Sequence, residues 1–122
     1  MESAAGGKGL ELVESQSDGV AIVEPRGRID SMTAGLFGAR VAELIRSGSH
    51  HLVIDLAEVL YITSAGFRSL LIAGRLIDEF KGKLVLCRMS TEIRRLFEIG
   101  GFSDLFEICA TRDDGVRKAS WP

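Results

Sequence analysis

At 122 residues, with 46% hydrophobic and 26% charged side chains and a formal net charge of -2, the chain can bury a core as one domain. Its charge argues against a nucleic-acid binder, which is usually basic. No apolar stretch approaches the roughly 20 residues of a membrane span, and the start, Met1-Glu2-Ser3-Ala4-Ala5, has neither a basic nor an apolar leader region, so the expectation is a cytoplasmic protein without a membrane partner.

Residues 1–8 are small and polar and read as a disordered tail ahead of a single domain over 9–122. Leu10 to Glu14 and Val20 to Glu24 flank Ser17-Asp18-Gly19, whose aspartate and glycine favour a tight turn between antiparallel strands. Pro25 has no amide to donate, so the second strand is expected to lose regular pairing there or to face an unpaired side. The chain turns through Gly27 into a first helix, capped by Asp30 or Ser31, with Phe37, Val41 and Leu44 at helical spacing and a stop at Gly48.

The stretch from His51 to Lys83 is the centre of the chain. Leu52-Val53-Ile54 is apolar without alternation, the pattern of a strand covered on both faces. After Asp55-Leu56 and a brief loop, a long helix is expected to begin at Ser64-Ala65-Gly66 and to end at Lys81-Gly82. At roughly 100° per residue, Arg68, Arg75 and Glu79 form one stripe of this helix and Leu70, Ala73 and Ile77 the opposite one. Ile72 falls within the charged stripe, with Leu71 and Leu76 on its margins. Beyond it, Lys83 to Arg88 reads as a strand containing Cys87, and Ser90 opens a helix with Ile93, Leu96 and Phe97 inward and Gly100-Gly101 at its end. A short strand near Phe106-Glu107-Ile108 leads past Cys109 to Thr111-Arg112-Asp113-Asp114, a capping-box pattern opening a last helix. Both cysteines read as buried thiols of a reducing compartment.

Ser64 has two readings. Serine at a helix start is a common N-cap, and a hydroxyl presented there is also a place for a phosphate; general physics does not separate them. A nucleophilic serine needs a base within reach, yet His50 and His51 precede the strand and lie at its opposite end. Neighbouring strand residues point to opposite faces, so the two histidines do not chelate as a pair, and no cysteine spacing supports zinc. With neither a Walker lysine loop nor a dinucleotide glycine fingerprint, no cofactor is expected. What remains is a binding or signalling module, not an enzyme.

The run Asp55-Leu56, Val59, Tyr61-Ile62-Thr63-Ser64-Ala65-Gly66-Phe67 resembles the signature segment of the STAS domain, the fold of bacterial anti-sigma factor antagonists. Gly27-Arg28-Ile29-Asp30, Gly82-Lys83-Leu84-Val85-Leu86 and Arg94-Arg95-Leu96-Phe97-Glu98-Ile99-Gly100-Gly101-Phe102 resemble further family segments in the same order, over roughly residues 10–118. The resemblance implies an α/β domain with a mixed, mainly parallel sheet of four or five strands, opened by a β-hairpin and covered by about four helices. It implies a chain that binds an anti-sigma factor, typically a serine kinase of the histidine-kinase-like ATPase type. Phosphorylation of Ser64 would inactivate the chain, and a serine phosphatase would restore it. Thr63 stands where the family often has an aspartate. Asp30, Thr63, Ser64 and Gly66, with Arg68 and Ile72 of the helix stripe, form the expected partner-binding set, and Asp55 is expected near the phosphosite. Asp30 alone also reads as a helix cap. The alternative implied by the resemblance is a scaffold or accessory subunit of another signalling or transport assembly, without a sigma factor as output.

Overall fold

The computed structural model describes residues 9–120 in full and residues 2–7 as backbone. Its elements are β1 (Glu2–Gly7), β2 (Leu10–Ser17), β3 (Val20–Ile29), α1 (Ala34–Arg46), β4 (His51–Asp55), β5 (Val59–Ile62), α2 (Ser64–Glu79), β6 (Lys83–Cys87), α3 (Thr91–Ile99), a 3-10 turn (Ser103–Leu105), β7 (Glu107–Cys109) and α4 (Arg112–Ser120). One mixed sheet runs in the order β1-β2-β3-β4-β6-β7, with β5 also paired to β3. β1, β2 and β3 are antiparallel and all other pairs are parallel. The α/β class, the opening hairpin and the four α-helices are as the sequence implies.

Among the described residues the sheet has seven strands, two more than the largest number expected. β5 lies in what reads as a loop: it has four residues, of which only Val59 and Ile62 are buried, and it forms because β3 outruns β4. β3 pairs β4 through Ala21, Ile22 and Val23, then β5 through Gly27, Arg28 and Ile29. Pro25 falls in the gap between the two partners, on the unpaired side a proline tolerates. The second extra strand is β1, which takes residues expected in a disordered tail and pairs Gly7 opposite Leu10. Without it β2 would be a sheet edge with a row of unpaired amides. Residues 1 and 8 of the expected tail lie outside the described residues.

Local signals explain most element ends. Asp18 and Gly19 both have positive φ (53° and 78°), the backbone of a two-residue hairpin turn whose twist matches the flanking strands. Ser90 Oγ accepts from Ile93 N–H at 3.1 Å, and Thr111 Oγ1 from Asp114 N–H at 3.0 Å, so both expected caps are made. At the end of α2 the left-handed residue is Lys81 (φ 56°), not Gly82. Gly82 is needed for a different reason: a Cβ there would lie 2.2 Å from the His50 carbonyl oxygen.

The unbroken apolar run of β4 is buried on two sides, as its pattern predicts. Leu52 and Ile54 pack under α1 and α2 with Phe37, Val41, Leu70 and Ile77, while Val53 joins Val20, Ile22, Val85 and Cys87 under Val116 and Ala119 of α4. Three helices therefore cover one face and α4 the other. Both cysteines are free, Cys87 buried and Cys109 half-buried. Burial, reinforced by the Asp55 carboxylate, pushes the Cys87 thiol up to about 12.

Candidate functional site

The site forms where β3 and β5 end together. Their register sets Ile29 beside Ile62, and Thr63 N–H donates to the Ile29 carbonyl at 3.0 Å. Asp30 and Ser64, each just past that pairing, thus emerge at the same edge of the sheet. Asp30 does not cap α1 directly. Its Oδ1 accepts from the amides of Met32 (2.9 Å) and Thr33 (3.2 Å), tightening the turn before the helix, and Thr33 holds the N-cap position. The turn leaves Met32 85% exposed.

α2 begins one residue differently from expectation. Thr63, with extended backbone, is the N-cap residue and Ser64 is the first helical residue, so Ser64 is not the cap. The Thr63 side chain takes none of the first-turn amides, and its Oγ1 is buried without a partner. Ser64 is exposed. Ser69, the next hydroxyl on the helix, is buried and donates to the Gly66 carbonyl at 2.7 Å. Among these three hydroxyls only that of Ser64 faces solvent, at the positive end of the helix macrodipole.

Gly66, expected as a partner contact, is buried and serves the fold. A Cβ at this position would lie 2.6 Å from both the Ile29 carbonyl oxygen and Ile62 Cγ1, so only glycine lets α2 rest on the ends of β3 and β5. Gly66→Ala is expected to destabilise the domain by about 1–3 kcal/mol through this overpacking. Urea unfolding would measure it, and a midpoint equal to wild type would contradict the close approach.

The exposed face of α2 follows the predicted stripe. Arg68 and Arg75 are exposed, Ile72 is 54% exposed between them, Leu71 and Leu76 are half-buried, and Leu70, Ala73 and Ile77 are core. Beside Ile72 a shallow groove of about 300 Å³ runs between α1 and α2 over Ala34, Gly35, Gly38 and Ala65. The helices approach closely there, since a Cβ on Gly38 would lie 3.4 Å from that of Ser69.

Asp55 is elsewhere. Along β4, Leu52 and Ile54 take the face of α1 and α2, so Asp55 shares the α4 face with Val53. Its carboxylate, fully buried, accepts from Arg88 Nε and Nη2 at 2.9 and 2.8 Å, from Arg112 Nε at 2.7 Å and from the Ala57 amide at 3.1 Å. Glu24, also buried, pairs with Arg112 and Arg26. The expectation of Asp55 near Ser64 is therefore corrected: it anchors the start of α4 on the opposite side of the sheet. Sequence reading did not foresee this network, although Glu24 inside the apolar run from Val20 was its visible trace.

The histidines lie at the other end of β4 from Asp55. His51 opens β4, with Nδ1 2.7 Å from the Ala119 carbonyl oxygen, and the His50 ring packs, tilted by 32°, against Phe80 at 4.6 Å. The geometry of the site is thus a presented hydroxyl on an exposed face: loop Asp30 to Met32, the first turn of α2, and the line Arg68-Ile72-Arg75.

A small α/β module with this strand order and this face is one of a known class. Residues 12–115 match the model of the STAS domain, and the chain belongs to that family. It is 32% identical over 104 residues to the candidate anti-sigma factor antagonist BtrV of Bordetella bronchiseptica, covering 85% of this chain and 90% of the relative. It is 33% identical over 99 residues to the anti-sigma-B factor antagonist of Listeria monocytogenes, covering 81% and 86%. The crystal structure of an anti-sigma factor antagonist from Mycobacterium paratuberculosis has the same fold, with a TM-score of 0.79 at 24% identity over 95% of this chain and 98% of that one. No helix among the described residues is long and apolar enough to cross a membrane.

Proposed function

We propose that this chain is an anti-sigma factor antagonist, working in the cytoplasm, that binds an anti-sigma factor with serine kinase activity and is switched off when that kinase phosphorylates Ser64. The observation that carries the reading is the exposed Ser64 at the first turn of α2, in line with exposed Arg68 and Ile72. Thr63 and Ser69, the nearest competing acceptors, have buried hydroxyls. In the transfer, Ser64 Oγ forms the new bond to the γ-phosphorus of ATP, ADP leaves, and the hydroxyl proton passes to a base on the kinase. The chain is the substrate of this step. A serine phosphatase reverses it by hydrolysis.

The test starts from the anti-sigma factor co-purified with the chain from its native host, identified and then prepared pure. With ATP, that partner is expected to add one phosphate, on Ser64, by intact-mass and peptide spectrometry. Phosphate on Thr63 or Ser69, or no phosphate, would refute the acceptor. Ile72→Asp is expected to weaken binding at least tenfold in calorimetric titration while leaving the thermal melt unchanged, because an exposed aliphatic contributes to an interface more than to the core. Unfolding of this variant would mean that Ile72 is core, and unchanged affinity would mean that the partner docks elsewhere.

A further inference from the structure

Ser64 and Arg68 are four positions apart in α2 and both are exposed. That spacing stacks their side chains one turn apart on the same helix face, with the serine on the N-terminal side, the order in which an anion and a cation pair best. The arginines that build the fold are all engaged: Arg40 holds Glu14, and Arg88 and Arg112 hold Asp55. Arg68 has no ion pair among the described residues. It stands at the lip of the groove between α1 and α2, whose lining contains no acidic residue. An unpaired guanidinium beside an exposed isoleucine and a floor of small residues is complementary to an apolar segment that carries a carboxylate.

We propose that Arg68 makes the switch two-sided: it pairs with a carboxylate of the anti-sigma factor while Ser64 is unmodified, and with the phosphate in cis once Ser64 is phosphorylated. The inference rests on the reading of Ser64 as phosphoacceptor and adds to it a partner chemistry and a competition. A phosphate offers three acceptor oxygens, and the guanidinium fork binds two at once. The modification then adds negative charge to the face and also removes the cation that the partner needs.

Phosphoserine installed at position 64 of the full chain by nonsense suppression tests the cis pairing without any kinase. Its second ionisation, ordinarily near 6, followed by phosphorus NMR against pH, is expected about 0.3 unit lower in wild type than in Arg68→Gln, since a cation favours the dianion. The difference should shrink in 1 M salt, which screens exposed pairs beyond about 3 Å. Identical titrations would overturn the cis pairing. For the trans pairing, the purified anti-sigma factor is titrated with unmodified wild type, Arg68→Gln, Arg68→Lys and Ile72→Asp. Arg68→Gln is expected to weaken binding about tenfold and Arg68→Lys less, as charge survives but the fork is lost. If Ile72→Asp weakens binding and Arg68→Gln does not, this proposal falls and the reading of the docking face stands. If neither does, both fall.

Discussion

Replacing Asp55 with alanine is expected to destabilise the domain by about 3 kcal/mol, the lower end of the range for breaking a buried ion pair. The lower end applies because the loss is shared unequally. The Asp55 carboxylate is fully buried, but the side chains of Arg88 and Arg112 are 42% and 26% exposed and can recover water once it is gone. Arg112 also keeps Glu24. The effect should concentrate at α4, whose first residue is Arg112, so amide exchange in 112–120 is expected to rise before exchange elsewhere. The acid limb of stability gives a second readout. Burial alone would push the Asp55 carboxyl up, yet hydrogen bonds from Arg88, the Ala57 amide and Arg112 outweigh it and hold it below the ordinary carboxylate range. A carboxyl with a lower pKa folded than unfolded contributes stability above its unfolded pKa, and this contribution is lost as pH falls through the folded value. Wild type should therefore weaken below about pH 4, and Asp55→Asn should show a shallower decline. Parallel stability curves for the two proteins from neutral pH to about pH 3 would refute the role of this carboxylate.

The contrast between this network and the caps explains what was readable in the chain. The hairpin at Asp18-Gly19, the Ser90 and Thr111 caps and the stripe on α2 depend on neighbours within a few positions, and each was visible from spacing alone. The double burial of Leu52-Val53-Ile54 was visible too, because a strand covered on one face would alternate. The partners of Asp55 are 33 and 57 residues away, and those of Glu24 reach 88. No local pattern encodes such pairings. The side on which Asp55 falls follows from parity once the face of Val53 is known, but that face is set by where α4 docks. β5 was missed for a similar reason: its four residues gain their strand geometry from β3, after a register shift at Gly27. The division of labour between Lys81 and Gly82 likewise depends on the His50 carbonyl, which approaches from the loop before β4.

In the candidate site, the structure brings Asp30 and Ser64 to one edge of the sheet, and the places of the residues along it differ from those the motif resemblance implies. Ser64 is presented and not capping, Gly66 is a packing necessity, and Thr63 is an N-cap residue with an idle hydroxyl. Only Asp30, Ser64, Arg68 and Ile72 of the expected partner-binding set carry side chains available to another molecule. The result is a smaller face than the motif suggests, with Asp30 and Arg68 as its charged side chains.

Phosphorylation of Ser64 is expected to leave the fold intact and to lower affinity for the anti-sigma factor by orders of magnitude. A phosphoserine carries roughly -1.5 to -2 charges near pH 7. In the first turn of a helix the macrodipole favours such a group by about 0.3 to 1 kcal/mol. Asp30 opposes this across the site, but Asp55 does not, since it faces α4 and its charge is matched by Arg88 and Arg112. The net effect on the isolated domain is therefore small, and the melting temperature should barely move. The interface has no such compensation. Enclosing the phosphate against a partner that brings no further cation, and whose own carboxylate loses Arg68 to it, costs several kcal/mol, and each 1.4 kcal/mol is about tenfold in affinity. Ser64→Ala should bind like the unmodified chain. Ser64→Glu should bind more weakly, and true phosphoserine more weakly still, because the glutamate carries less charge. Calorimetry of the four forms against the same purified anti-sigma factor, with circular dichroism melts alongside, decides the matter. Equal affinities would refute the switch, and a large fall in melting temperature on phosphorylation would mean that it works by unfolding the domain instead of by charge at the docking face.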